Sequence, residues 1–134
     1  MKPVFYVHVR ITNEYTLKSE KGQINMIVFD GFIDAPFFKG EILSGACDTQ
    51  KYLPGEKGAL SARYMLEGLD EAGNKTRIFI ENNAFLSKDG SWKTRPFIMT
   101  DNPRLMWLSD LPLTGAIEGA ENGVIIHFYG EEAK

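Results

Sequence analysis

Asp48 and Gln50 stand two residues apart in a stretch otherwise made of small and apolar residues, so in a strand they share one face. A carboxylate turned into a narrow apolar space has a raised pKa unless it is paired, which suits a general base; the alternative is a surface aspartate at a strand bend. Tyr64 and Asn82 fall on faces that are otherwise apolar, where a hydroxyl or an amide needs either a protein partner or a ligand. Arg95, beside Pro96, has the fork geometry for a carboxylate or a phosphate, or else is an exposed arginine. Trp107, close to Leu105, Met106 and Leu108, is a packing residue or a flat platform for an apolar ligand. His8 and His127 lack a third ligand at a supporting spacing, so no metal site is expected. Ser, His and Asp occur without a nucleophile elbow, which argues against a hydrolase, and no cofactor motif stands out.

These side chains must be positioned by strands. Leu60 to Leu69 and Lys75 to Phe85 both alternate, and the three residues Glu71-Ala72-Gly73 end on the glycine that a type I turn with a bulge requires. Asp70 then faces Asn74, and counting back sets Glu67 against Arg77, Met65 against Phe79 and Arg63 against Glu81. The other face carries Leu66 with Ile78, Tyr64 with Ile80 and Ala62 with Asn82. A shift of one residue would lose both charge pairs, so the count discriminates between registers. Arg63 and Glu81 are accordingly expected to form a structural ion pair.

The remaining periodicity also has period two. Phe5, Val7, Val9 and Ile11 alternate with polar neighbours; Ile24 to Ile33 carries Gly31, which suggests a bulge or bend; Phe37 to Leu53 is long for one strand, with Gly40 and Gly45 as places to bend or change sheets. Pro54-Gly55 through Gly58 and Ser87 to Gly90 read as turns. Trp92 to Thr100 contains Pro96, which cannot donate to a ladder and so implies an edge, a bulge or a strand start. Asn102-Pro103 predicts one short helical turn to about Leu108, and the last strands run from Leu113 to Gly119 and from Gly123 to Tyr129. Residues 131–134 read as a solvated tail.

Eight or so strands with hairpin connections point to an all-β fold, a small closed antiparallel up-and-down β-barrel occupying residues 1–134 as one domain. A chain of 134 residues buries enough surface to fold without disulfide or metal. Fifteen basic and eighteen acidic residues, scattered along the chain, argue against a nucleic-acid groove and a basic membrane patch. The single cysteine, Cys47, reads as a small buried hydrophobe rather than a reactive thiol. The N-terminal apolar run is too short for a secretory core and is broken by His8 and Arg10, which gives a cytoplasmic expectation.

The segments Phe38 to Gln50, Ala62-Arg63-Tyr64 with Asp70 and Gly73, Ile80 to Asn83, Arg95-Pro96-Phe97, Asp101, and Trp107-Leu108 with Gly115 and the closing strand resemble the family called domain of unknown function 3237, over nearly the full length. The resemblance implies a small antiparallel barrel and a homo-oligomer, and no established activity. It also implies Asp48, Tyr64, Asn83, Arg95 and Trp107 as a candidate lining. The chain departs from the family pattern at Ala46 and Ala84, where the family usually has glycine.

An eight-stranded barrel either encloses one small ligand or is filled by side chains. Three functions therefore stand side by side. One is a barrel binding a small, partly apolar molecule near Asp48, Tyr64, Asn82 and Arg95. Another is an assembly module with a plugged lumen. The third is an isomerase- or cyclase-type enzyme with Asp48 or Glu81 as base and Tyr64 as acid.

Overall fold

The structure, a computed structural model of the chain, describes residues 2–56, 58–86 and 88–130. The expected tail at 131–134 and the start of the turn at residue 87 lie outside the described residues. The strands are β1 (Lys2–Ser19), β2 (Gly22–Ala35), β3 (Phe38–Ile42), β4 (Cys47–Tyr52), β5 (Ala59–Asp70), β6 (Lys75–Leu86), β7 (Trp92–Thr100), β8 (Leu113–Ala120) and β9 (Gly123–Gly130). Each pairs antiparallel with its neighbours, and β9 returns to β1, so the sheet closes into an up-and-down barrel. The ring has eight positions because β3 and β4 share one between β2 and β5. The long stretch from Phe37 to Leu53 is thus divided where Gly45 takes φ 104°.

The β5–β6 hairpin has the register counted from its turn: Tyr64 opposite Ile80, Ala62 opposite Asn82, Arg63 opposite Glu81. Gly73 supplies the left-handed position at φ 84°, and the Asp70 N–H donates to the Asn74 carbonyl at 3.1 Å. Arg77 meets Glu67 at 2.7 Å and Arg63 meets Glu81 at 2.8 Å on the outer face. Inside, Tyr64, Leu66, Ile78 and Ile80 join Phe5, Phe29, Phe38 and Phe128 in the core.

Two features differ from the sequence expectation. The ladder passes Gly31 without a slip, and the bulge falls on the other strand, at Thr12, between the pairs Ile11↔Phe29 and Asn13↔Val28. That extra residue reverses the side-chain parity of the outer half of β1. Cys47 is half-buried on the outer face rather than in the core, since Asp48 beside it takes the inner position.

Pro96 sits in a strand paired with β6 along its whole length, but the ladder from β7 to β8 holds only Lys93↔Ala116 and Thr94↔Gly115. Beyond Thr94, β7 is an edge, where a missing N–H costs no ladder bond to β8. The connection from β7 to β8 contains a 3₁₀ turn at Pro103–Leu105 and a short helix α1 at Trp107–Asp110. Asn102 caps the turn, its Oδ1 accepting the Arg104 N–H at 2.9 Å. Leu105 and Leu108 are buried against the core, each contributing roughly 2 kcal/mol by burial. They plug this end of the barrel. No helix among the described residues is long and apolar enough to cross a membrane.

Candidate functional site

The opposite end is open. A cavity of about 200 Å³ lies there, walled mainly by apolar side chains including Val9, Ile27, Phe29, Leu60, Ile117 and Ile126. Liquid water occupies about 30 Å³ per molecule, so this is room for about six or seven waters or one small organic molecule. The space exists because small residues stand in the wall. Ala62 lies between Asp48 and Asn82 in one cross-strand row, and Ala84 between Leu60 and Thr94 in the next. Gly115 follows Thr94 in that row; a Cβ there would meet Thr94 Oγ1 at 2.1 Å.

Four polar side chains face this cavity: Asp48, Gln50, Asn82 and Thr94. Gln50 Nε2 donates to Asp48 Oδ2 at 3.2 Å, and Gln50 Oε1 accepts from Asn25 Nδ2 at 3.1 Å. Asn25 Oδ1 in turn accepts from Gln23 Nε2 at 3.0 Å and Thr16 Oγ1 at 3.1 Å. A hydrogen-bonded ladder thus crosses three strands and ends at the Asp48 carboxyl. Burial pushes the pKa of Asp48 above its ordinary value, and the Gln50 hydrogen bond opposes the shift.

Asn82 and Thr94 are different. Both side chains are buried, yet Asn82 Oδ1 and Thr94 Oγ1 have no hydrogen-bond partner among the described residues. Asn82 Nδ2 makes only a long contact, 3.4 Å, with the Tyr64 hydroxyl. Tyr64 itself is buried in the core against Phe29, with ring centroids 5.3 Å apart, and burial raises its pKa. It does not wall the cavity and reaches it only through Asn82. The pairing of Asp48 as base with Tyr64 as acid is therefore not assembled around one space.

The other expected lining residues lie elsewhere. Side chains alternate along a strand, so Asn82 inward places Asn83 outward, where it accepts from Ser61 Oγ at 2.9 Å and donates to Glu81 at 3.3 Å. Thr94 inward likewise places Arg95 outward, its guanidinium 4.8 Å from the Phe85 ring centroid. Trp107 is at the plugged end, partly exposed, 5.0 Å from Phe37 in an edge-on contact. Nothing in the sequence singles out Thr94. Lys93 and Arg95 on one parity mark that face as outward, but Phe97 and Met99 share it and blur the signal.

His8 and His127 lie on neighbouring strands, as the closed barrel requires. His8 stacks on Phe32 at 4.4 Å and His127 contacts Glu118 at 2.6 Å. Among the described residues no group of three or more His, Cys, Asp or Glu side chains is placed to hold a metal ion.

A family model described as "Protein of unknown function (DUF3237)" matches residues 1–130. No curated protein matches the chain. Solved structures share the fold, among them the following three. One is a protein with unknown function from Clostridium acetobutylicum ATCC 824, 22% identical, TM-score 0.76, covering 96% of both chains. Another is a conserved protein of unknown function from Rhodopseudomonas palustris, 18% identical, TM-score 0.69, covering 95% of this chain and 93% of that one. The third is a β-barrel-like protein from Acinetobacter baumannii AYE, 18% identical, TM-score 0.66, covering 96% and 93%.

Proposed function

Given that the chain belongs to the family of proteins of unknown function DUF3237, we propose that it binds a small, largely apolar molecule at the open end of the barrel. The observation that carries this reading is the pair of buried, unpartnered oxygens, Asn82 Oδ1 and Thr94 Oγ1, at an apolar cavity. A buried polar atom without a partner costs about 1–3 kcal/mol, so a ligand that satisfies it recovers that cost on binding. The amide oxygen accepts, and the threonine hydroxyl donates or accepts. A hydroxyl, or an amide N–H beside a compact apolar body, fits both. Asp48 at the end of its ladder gives a third polar contact, and burial there disfavours the charged carboxylate, which suits an uncharged ligand.

Native mass spectrometry of the protein after incubation with a small-molecule extract of its host tests the reading. The expected result is a mass increment that is lost on denaturation and absent from Ala84→Leu, in which the added side chain fills the cavity. Equal bare masses for both proteins would overturn it.

A further inference from the structure

The outer half of β1 has a free edge. β9 pairs with β1 only from Lys2 to Arg10, and Ile11 N–H donates to the Asn122 carbonyl at 2.8 Å. From residue 13 to residue 19, β1 is paired on one side by β2, and no described strand lies on its other side. Its backbone groups there face solvent, and one of them, the Glu14 N–H, is met by the neighbouring Asn13 side chain at 2.9 Å. Such an edge is a template for another strand.

The sequence along it is self-complementary. If a second copy runs antiparallel with its Thr16 opposite Thr16, then Glu14 faces Lys18, Tyr15 faces Leu17 and Asn13 faces Ser19, and each of these pairs occurs twice. Opposite charges, apolar pairs and paired threonines are the combinations that stabilise facing strands. Lys18 on a bare edge discourages strand addition; opposite Glu14 it has a counter-charge. The bulge at Thr12 turns Tyr15 and Leu17 onto the outer face beside Met26 and Ile24, and Tyr15, Leu17 and Met26 are 59%, 64% and 46% exposed. Pairing the edges would join these side chains into one apolar stripe across both copies.

We propose that two copies of the chain associate through the β1 edge, residues 13–19, about a two-fold axis at Thr16. The occupant of the edge is a second copy, because the charge order Glu14 to Lys18 complements its own reverse.

Sedimentation velocity across a concentration series tests this, with wild type, Glu14→Lys, Lys18→Glu and the double swap compared. Both substituted positions are exposed, and circular dichroism checks that each variant is folded. The wild type is expected to dimerise. Each single reversal puts two like-charge pairs at the axis and is expected to weaken the dimer by roughly tenfold or more. The double swap restores opposite pairs and is expected to restore dimerisation. A wild type that stays monomeric overturns the proposal. So does an oligomer indifferent to both single reversals, as one built on the outer patch of Met65, Phe79, Phe97 and Met99 would be, or a double swap as weak as its parents.

Discussion

The two ends of the barrel carry the same kinds of side chain in opposite states. At the plugged end, Asp70 Oδ1 accepts the N–H groups of Ala72 and Asn74 at 3.0 and 2.8 Å. Its Oδ2 accepts Asn74 Nδ2 and Asn102 Nδ2, both at 2.9 Å. Asn102 also donates to Thr76 Oγ1 at 2.7 Å, and Thr76 donates to the Asn74 carbonyl at 2.9 Å. Hydrogen bonds from Asn102 first, then Asn74, hold the Asp70 carboxyl well below the usual carboxylate range. At the open end, burial pushes Asp48 the other way, and an asparagine and a threonine each keep an oxygen without a partner among the described residues. Aspartate, asparagine and threonine thus serve structure at one end. At the other they are the groups that the proposed ligand would satisfy. Residue type alone does not separate the two roles; the partner count does.

The largest effect expected from this contrast is at Asn102. Asn102→Ala removes the cap of the 3₁₀ turn and the donor shared by Asp70 and Thr76, and leaves two buried acceptors short. A loss of about 3 kcal/mol is expected in urea denaturation. The mass increment bound at the open end is expected to persist under conditions where the variant is folded. Loss of that binding in folded Asn102→Ala would break the separation between the ends.

A smaller effect is expected in the pH dependence, where the two aspartates have opposite signs. Asp70 has a depressed folded pKa, so the stability it contributes is present above the ordinary carboxylate range and is lost as pH falls from that range through the depressed value. Asp48 has a raised folded pKa, so its contribution declines as pH rises from that range through the raised value. Asp48→Asn is expected to remove this decline, leaving the variant at least as stable as wild type at neutral pH while it keeps the acid-side loss. Asp70→Asn is expected to remove the acid-side loss. Identical pH profiles for wild type and Asp48→Asn would deny that the carboxyl is desolvated.

Much of this arrangement was legible in the residues, and the illegible part has identifiable causes. The β5–β6 register followed from the turn at Gly73, because charge pairs on one face and apolar pairs on the other fit only one count. That register placed Tyr64 and Asn82 inside, and the spacing of Asp48 and Gln50 placed them together. The parity of β7 was harder to read. Exposed Phe97 and Met99 share a face with Lys93 and Arg95, so alternation there neither separates inside from outside nor singles out Thr94. Asn83 rests on family resemblance alone, which carries position along the chain but no side-chain direction. The bulge at Thr12 left no mark in the sequence either, since threonine is an ordinary strand residue.

One substitution made at both ends tests the central contrast most directly: threonine to the nearly isosteric valine, at Thr94 and at Thr76, with unfolding free energies measured by urea denaturation. Thr76→Val takes an acceptor from Asn102 and a donor from the Asn74 carbonyl, and a loss of about 2 kcal/mol is expected. Thr94→Val removes a buried hydroxyl that has no partner among the described residues, and a gain of up to about 1 kcal/mol is expected in the ligand-free protein. If Thr94→Val costs as much as Thr76→Val, the Thr94 hydroxyl belongs to the fold, and the account of the open end as a binding cavity is contradicted.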